Sequence, residues 1–134
     1  MRTQNSKKSI LVVDDYDDIR KLIKKRLEKL GYLVLEAGDG QQAVEMAESE
    51  HPDLILMDFN LPILDGFVAT QCIRQLEEMR EVPIVGLTAH GKQYSQNLAK
   101  AAGCNDYLEK PLNFEQLDAL IERWLPKQGT AKIN

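Results

Sequence analysis

Three aspartates and one lysine stand where their chemistry would combine. Asp14 and Asp15 close the apolar run Ile10-Leu11-Val12-Val13, and Asp58 closes Leu54-Ile55-Leu56-Met57. Lys110 follows a third short segment and directly precedes Pro111. In an open parallel α/β sheet the carboxyl ends of the strands share one edge, and ligands bind there. Residues far apart in the chain would then meet in one pocket. Three carboxylates at close range repel one another unless neutralised. With the lysine they sum to a formal charge of −2. One Mg²⁺, which favours few protein carboxylates, several waters and a phosphate oxygen, brings that sum to zero. An anionic phosphoryl donor can then approach. A carboxylate can act as its nucleophile and form an aspartyl phosphate. Asp58 has the setting for this, at a strand end before the irregular stretch Phe59-Asn60-Leu61-Pro62. The Asn60 backbone carbonyl could add a metal ligand. Lys110 could pair with a phosphate oxygen as a point charge. Thr88, which ends Ile84-Val85-Gly86-Leu87-Thr88, could donate its hydroxyl to another.

Singly, each residue has a plainer reading. Asp14 and Asp15 could cap the first helix. Asp58 could open a turn, and Lys110 and Thr88 could be ordinary surface and strand-end residues. Their joint placement at four strand ends favours a shared site. Other sites fail on pattern. The turn Asp14-Asp15-Tyr16-Asp17-Asp18 has no glycine, so the dinucleotide fingerprint is absent, as is a Walker loop. The stretch from Asp15 also lacks the glycine and later glutamate of a calcium-binding EF-hand loop.

The elements that must position these residues alternate strictly. Short apolar segments at 9–14, 32–37, 53–58, 83–88 and 105–109 predict strands, several of them continuous runs expected of parallel strands covered on both faces. Helical periodicity covers 17–30, 39–50, 65–80, 92–102 and 113–125. This alternation predicts an α/β, flavodoxin-like, doubly wound five-stranded parallel sheet of order 2-1-3-4-5 with five helices. The first helix carries Ile19, Leu22, Ile23, Leu27 and Leu30 as an apolar stripe, with Lys21, Lys24, Lys25 and Lys29 on its other face. The lysines read as a solvated face and as a docking surface for an acidic partner. Leu117, Leu120, Ile121 and Trp124 form the stripe of the last helix. Gly31 and Gly103 suit left-handed helix ends, and Asp65 and Asn113 suit N-caps.

The chain has 134 residues, 43% of them hydrophobic and 28% charged, which fits one globular domain with a full core. A net charge of −4 gives no support to general nucleic-acid binding, which wants a basic face. No apolar stretch approaches the roughly 20 residues of a membrane span. The polar N-terminus leads into a segment too short for a signal-peptide core. The expected location is therefore the cytoplasm. Cys72 and Cys104 read as reduced thiols, and with His51 and His90 they make no zinc pattern. Residues 1–8 and 126–134 read as flexible ends around a domain at 9–125. Any output module is expected on another chain.

Four motifs, in order and at matching separations, resemble the receiver domain of two-component response regulators, of the chemotaxis-regulator-like kind. They are Ile10 to Asp15, Met57 to Gly66, Pro83 to Ala89 and Gly103 to Leu112, within a resemblance running from Ser9 to Leu125. The resemblance implies that Asp58 is the phosphoacceptor. It implies that Asp15 binds Mg²⁺ (with Mn²⁺ as an alternative), that Asp14 holds a metal-bound water, and that the Asn60 carbonyl is a further ligand. Thr88 and Lys110 match the phosphate-binding pair, and Tyr107 the aromatic switch, whose plainer reading is a partly exposed aromatic. A cis peptide before Pro111 is implied, and no organic cofactor. The stretches 101–107 and 122–126 are similar to stand-alone and hybrid-kinase receivers. The implied function is a phosphorylation-dependent signalling switch, not a metabolic enzyme, that assists its own phosphotransfer and dephosphorylation. The donor would be a sensor histidine kinase or a phosphotransfer protein, placed on the first-helix lysine face. A downstream effector would meet the face of the fourth helix, fifth strand and fifth helix. Neither direct nucleic-acid contact nor membrane insertion is implied. A haloacid-dehalogenase-like phosphatase would want an aspartate where Asn60 stands. A receiver-like module that binds without phosphorylation would not need the acidic set and Lys110.

Overall fold

The strands β1 (Ser9–Val13), β2 (Leu33–Ala37), β3 (Leu54–Asp58), β4 (Ile84–Thr88) and β5 (Asp106–Glu109) pair in parallel in the order β2-β1-β3-β4-β5. The computed structural model describes residues 7–61, 65–88 and 93–126, with the backbone alone at 93–96. The expected flexible ends fall almost wholly outside these residues, as do Pro62, Ala89 and His90. The helices are α1 (Asp17–Lys29), α2 (Gly40–Glu50), α3 (Gly66–Gln75), α4 (Gln93–Ala102) and α5 (Phe114–Trp124).

β1, β3 and β4 are buried along their whole length. Side chains alternate between the two faces of a strand, so one apolar run feeds two cores. Leu11, Val13, Ile55, Met57 and Ile84 pack with Ala43 and Ala47 of α2 and Ala69 and Ile73 of α3. Ile10, Val12, Leu54, Leu56, Val85 and Leu87 pack with Ile23 and Leu27 of α1 and Leu117 and Ile121 of α5. Each fully buried aliphatic side chain contributes about 1.5–3 kcal/mol, which fixes the sheet between its helical layers. The sheet order and the five helices are as the sequence predicts.

The helix ends also follow their residues. The Asp65 carboxylate accepts from Val68 N–H at 3.0 Å, and Asn113 accepts from the N–H groups of Glu115 and Gln116 at 2.8 and 3.0 Å. Gly31 and Gly103 take φ of 100° and 113°. Three expectations need correction. Asp14 lies one residue beyond β1. The helix expected over 65–80 stops at Gln75, because Leu76 is extended (ψ 124°), and a 3₁₀ turn follows at Glu77–Met79. The first-helix stripe is only partly core: Ile23 and Leu27 are buried, whereas Ile19 and Leu22 stay 40% and 52% exposed.

Candidate functional site

Strand register brings the acidic residues together. β1 and β3 are neighbours with Val13 paired to Met57, so the next residues, Asp14 and Asp58, emerge side by side at the carboxyl edge. Both are buried, while Asp15 is exposed. The plainer reading of Asp14 and Asp15 as helix caps does not hold. Tyr16 is the N-cap of α1 and no side chain caps it. Instead Asp14 Oδ1 accepts from Tyr16 N–H at 3.0 Å and bends the chain away from the sheet. Arg20 fixes the same turn by donating to the Asp14 carbonyl at 2.8 Å, to Glu36 at 2.9 Å and to Asp17 at 2.6 Å. Lys21 and Lys24 also reach Glu36, at 3.2 and 3.1 Å. Against a burial penalty acting the other way, these three cations hold the Glu36 carboxyl down at about 2.

The Asp58 turn is held as closely. Oδ1 accepts from Asn60 N–H at 3.0 Å. Phe59 N–H donates to Leu87 O at 3.1 Å, and Gly66 N–H donates to Phe59 O at 3.3 Å. Gly66 is needed for this approach, because a Cβ there would lie 2.3 Å from the Asp58 carbonyl oxygen. Across the edge, Lys110 N–H donates to Thr88 O at 2.8 Å, which continues the β4–β5 ladder into a cis Lys110–Pro111 peptide. The Lys110 ammonium then lies 3.0 Å from Asp58 Oδ2 and 3.6 Å from Asp14 Oδ2. The buried Thr88 hydroxyl donates to Leu108 O at 3.4 Å. Tyr107, on β5, is half-buried.

Burial pushes the Asp58 carboxyl above its ordinary value, and the Asn60 N–H and Lys110 only partly offset this. Burial alone would lower Lys110, but its bond to Asp58 and the charges of Asp58 and Asp14 raise it instead. One carboxylate oxygen each of Asp14, Asp15 and Asp58 lie within 4.8 Å of one another. Asp14 Oδ2 is fully buried and has no hydrogen-bond partner; its nearest compensation is the Lys110 charge. A buried acceptor left in that state wants a cation. Three hard oxygen donors suit a divalent ion such as Mg²⁺. Thus the structure brings Asp14, Asp15, Asp58 and Lys110 into one pocket with Thr88 and Asn60 at its margin, while Tyr107 lies further along the sheet on β5. Sequence reasoning missed Arg20, Gly66 and the packing of Phe59. The positive charge of Arg20 in the first turn of α1, just after an acidic loop, was the one available signal.

A sheet of this order with its acidic pocket at that edge is the arrangement of a receiver-type domain. The family profile of the response regulator receiver domain matches residues 10–122, and the chain belongs to that family. It is therefore a phosphorylation-dependent switch module of two-component signalling. The chain is 39% identical over 92% of its length to the alkaline phosphatase synthesis transcriptional regulatory protein PhoP of Bacillus subtilis, and it spans about half (51%) of that protein. It is 31% identical over 88% of its length to the polar-differentiation response regulator DivK of Brucella ovis, covering 96% of it. Among solved structures, the receiver domain of sensor histidine kinase PA1611 from Pseudomonas aeruginosa, with magnesium coordinated in its active-site cleft, is 43% identical. It superposes with a TM-score of 0.82 over 89% of this chain and 98% of that one. The receiver domain of Ssk1 from Saccharomyces cerevisiae, solved with the histidine phosphotransfer protein Ypd1, is 34% identical with a TM-score of 0.83 over 88% of each chain.

Proposed function

We propose that Asp58 accepts a phosphoryl group from a phosphohistidine, with Asp14, Asp15, Asp58 and the Asn60 carbonyl holding Mg²⁺ (or Mn²⁺) and Lys110 and Thr88 receiving the phosphoryl oxygens. The observation that carries this is the Lys110 ammonium, 3.0 Å from the buried Asp58 carboxylate and within ion-pair distance of Asp14. When bound, the cation would supply charge neutralisation. This chain's own residues do the rest. Asn60 N–H holds one Asp58 oxygen in place. Lys110 bonds the other and can turn to a phosphoryl oxygen. The Thr88 hydroxyl exchanges its long bond to Leu108 O for a stronger acceptor. The same residues would serve phosphotransfer and later hydrolysis. Incubation with acetyl phosphate and Mg²⁺, followed by intact mass, tests the reading. It requires one phosphoryl adduct, lost in Asp58→Asn. Steady turnover of phosphate monoesters would instead indicate a phosphatase, and no adduct would indicate a binding module.

We propose a docking face for the donor that adjoins the α1 lysines and does not rely on their charge. Lys21 and Lys24 are tied to Glu36. Beside Lys110 opens an apolar groove of about 800 Å³ lined by Tyr16, Ile19, Leu22, Pro111 and Phe114. We place a phosphotransfer helix there. Lys110 borders both groove and acid pocket, so a histidine on that helix would arrive at Asp58. The downstream partner is placed on the face of α4, β5 and α5, where Tyr107, Glu109, Gln116 and Arg123 border a shallow groove. No helix among the described residues is long and apolar enough to cross a membrane. Cys72 and Cys104 are free thiols, with burial pushing Cys104 up to about 11. Free thiols favour a reducing compartment, and we place the protein in the cytoplasm.

A further inference from the structure

The residue after Asp58 is locked into the sheet in an unusual way. Phe59 is 6% exposed, and its ring stacks on Phe67 of α3 with centroids 4.3 Å apart. The ring also lies directly on Gly86 of β4. A Cβ at Gly86 would fall 2.1, 2.6 and 2.9 Å from three Phe59 ring carbons. Gly86 therefore works as a notch that admits the ring, not as a turn residue.

The notch has a particular neighbour. In the β4–β5 pairing, Gly86 is the register partner of Tyr107, and Leu87 that of Leu108. Paired residues of adjacent strands point to the same face. Leu87 and Leu108 lie in the core shared with α1 and α5, so Gly86 and Tyr107 point to the opposite face. By alternation Ile84 and Thr88 share that face. Ile84, Phe59 and Ala99 of α4 belong to the same core cluster. On this face the position beside Tyr107 has no side chain of its own, and the Phe59 ring takes its place.

We propose that Phe59 is a positioning residue that couples Asp58 to Tyr107 through the Gly86 notch. The inference rests on the switch reading of Thr88 and Tyr107. The backbone of Phe59 is fixed by its bonds to Leu87 and Gly66, and its ring by Phe67. A shift of the Asp58 turn therefore carries the ring with it. Close-packed interiors transmit such shifts instead of absorbing them. The ring is also the surface that an inward-turned Tyr107 would meet beneath α4.

A nearly volume-conserving pair separates coupling from plain packing. Gly86→Ala drives a methyl into the ring and should lower the melting temperature. Phe59→Leu/Gly86→Ala restores total volume and should recover most of that loss. The readout is the Tyr107 ring resonance, assigned by its loss in Tyr107→Phe, with and without beryllofluoride in Mg²⁺. Wild type should show a large Tyr107 shift. The double variant should bind beryllofluoride, as seen at the amides flanking Asp58, yet lose most of the Tyr107 shift. Phe59→Leu alone should lose it too, and supplies the same comparison should the double variant fail to fold. A full Tyr107 shift in the leucine variants would reduce Phe59 to packing and overturn the inference alone. A wild-type Tyr107 that ignores beryllofluoride would overturn the switch reading and the inference together.

Discussion

The acid half of the site hangs from β1 and β3, interior strands buried from end to end. The half proposed to switch centres on Tyr107 of β5, a four-residue strand at the sheet edge in which only Leu108 is buried. Asp14 and Asp58 are thus held by packing on every side, while Tyr107 and Lys110 are held mainly by one ladder to β4. Local stability follows buried apolar contact. On the proposed function, the half assigned the chemistry is therefore the more tightly packed, and the half assigned the reporting is the one with fewer buried contacts. Lys110 joins them, since its ammonium belongs to the acid pocket and its backbone continues the β4–β5 ladder one residue past β5.

The largest effect should come from the fixed half. Asp58→Asn should abolish phosphorylation by acetyl phosphate while keeping the fold. Because it removes a buried charge from a cluster of acids, it should raise the metal-free melting temperature. An asparagine variant that melts well below wild type without metal would show that repulsion does not govern the pocket. The next test divides the halves. Mg²⁺ should raise the melting temperature of wild type by mass action. Asp15→Ala should remove most of that rise. Lys110→Ala should keep it, since Lys110 competes with the cation for Asp58 and Asp14 oxygens. Equal loss in both would misplace the metal.

Backbone packing beneath Asp58 gives a smaller effect. Gly66→Ala places a methyl against the Asp58 carbonyl, where backbone cannot yield easily. A cost of about 1–3 kcal/mol in urea denaturation is expected, with slower phosphorylation. The smallest effect concerns the brace behind the pocket. Glu36 has its folded carboxyl at about 2 against an ordinary 4.5. A depressed carboxylate stabilises above its unfolded value and loses that contribution as pH falls through its folded value. Wild type should therefore lose stability between pH 4.5 and about 2 in a way that Glu36→Gln does not. Parallel acid-melting curves for the two proteins would remove Glu36 from the account.

Much of this was legible in the chain because strand burial and strand ends are local signals. Continuous apolar runs marked β1, β3 and β4, and the polar residues that ended them marked the site. What stayed hidden depends on long-range contacts. α3 ends early where the Arg74 guanidinium donates to the carbonyls of Met79, Val82 and Gly103, folding the chain back at a point that helical periodicity runs straight through. The α1 stripe shows which residues share a face, but not that α5 leaves Ile19 and Leu22 uncovered. That Glu36 pairs with Lys21 and Lys24 of the lysine face was hidden because Glu36 is far away in sequence. Phe59 and Gly86 each look ordinary, and only the sheet shows that one fills the space the other leaves.

The central claim is that a charge event in the fixed half reorganises the edge half. The direct measurement is the set of backbone amide shifts with and without beryllofluoride in Mg²⁺. Large changes are expected at Thr88, through α4, and along β5 to Lys110. Changes confined to the immediate neighbours of Asp58 would mean that the site is modified without signalling through this face, and would contradict the account.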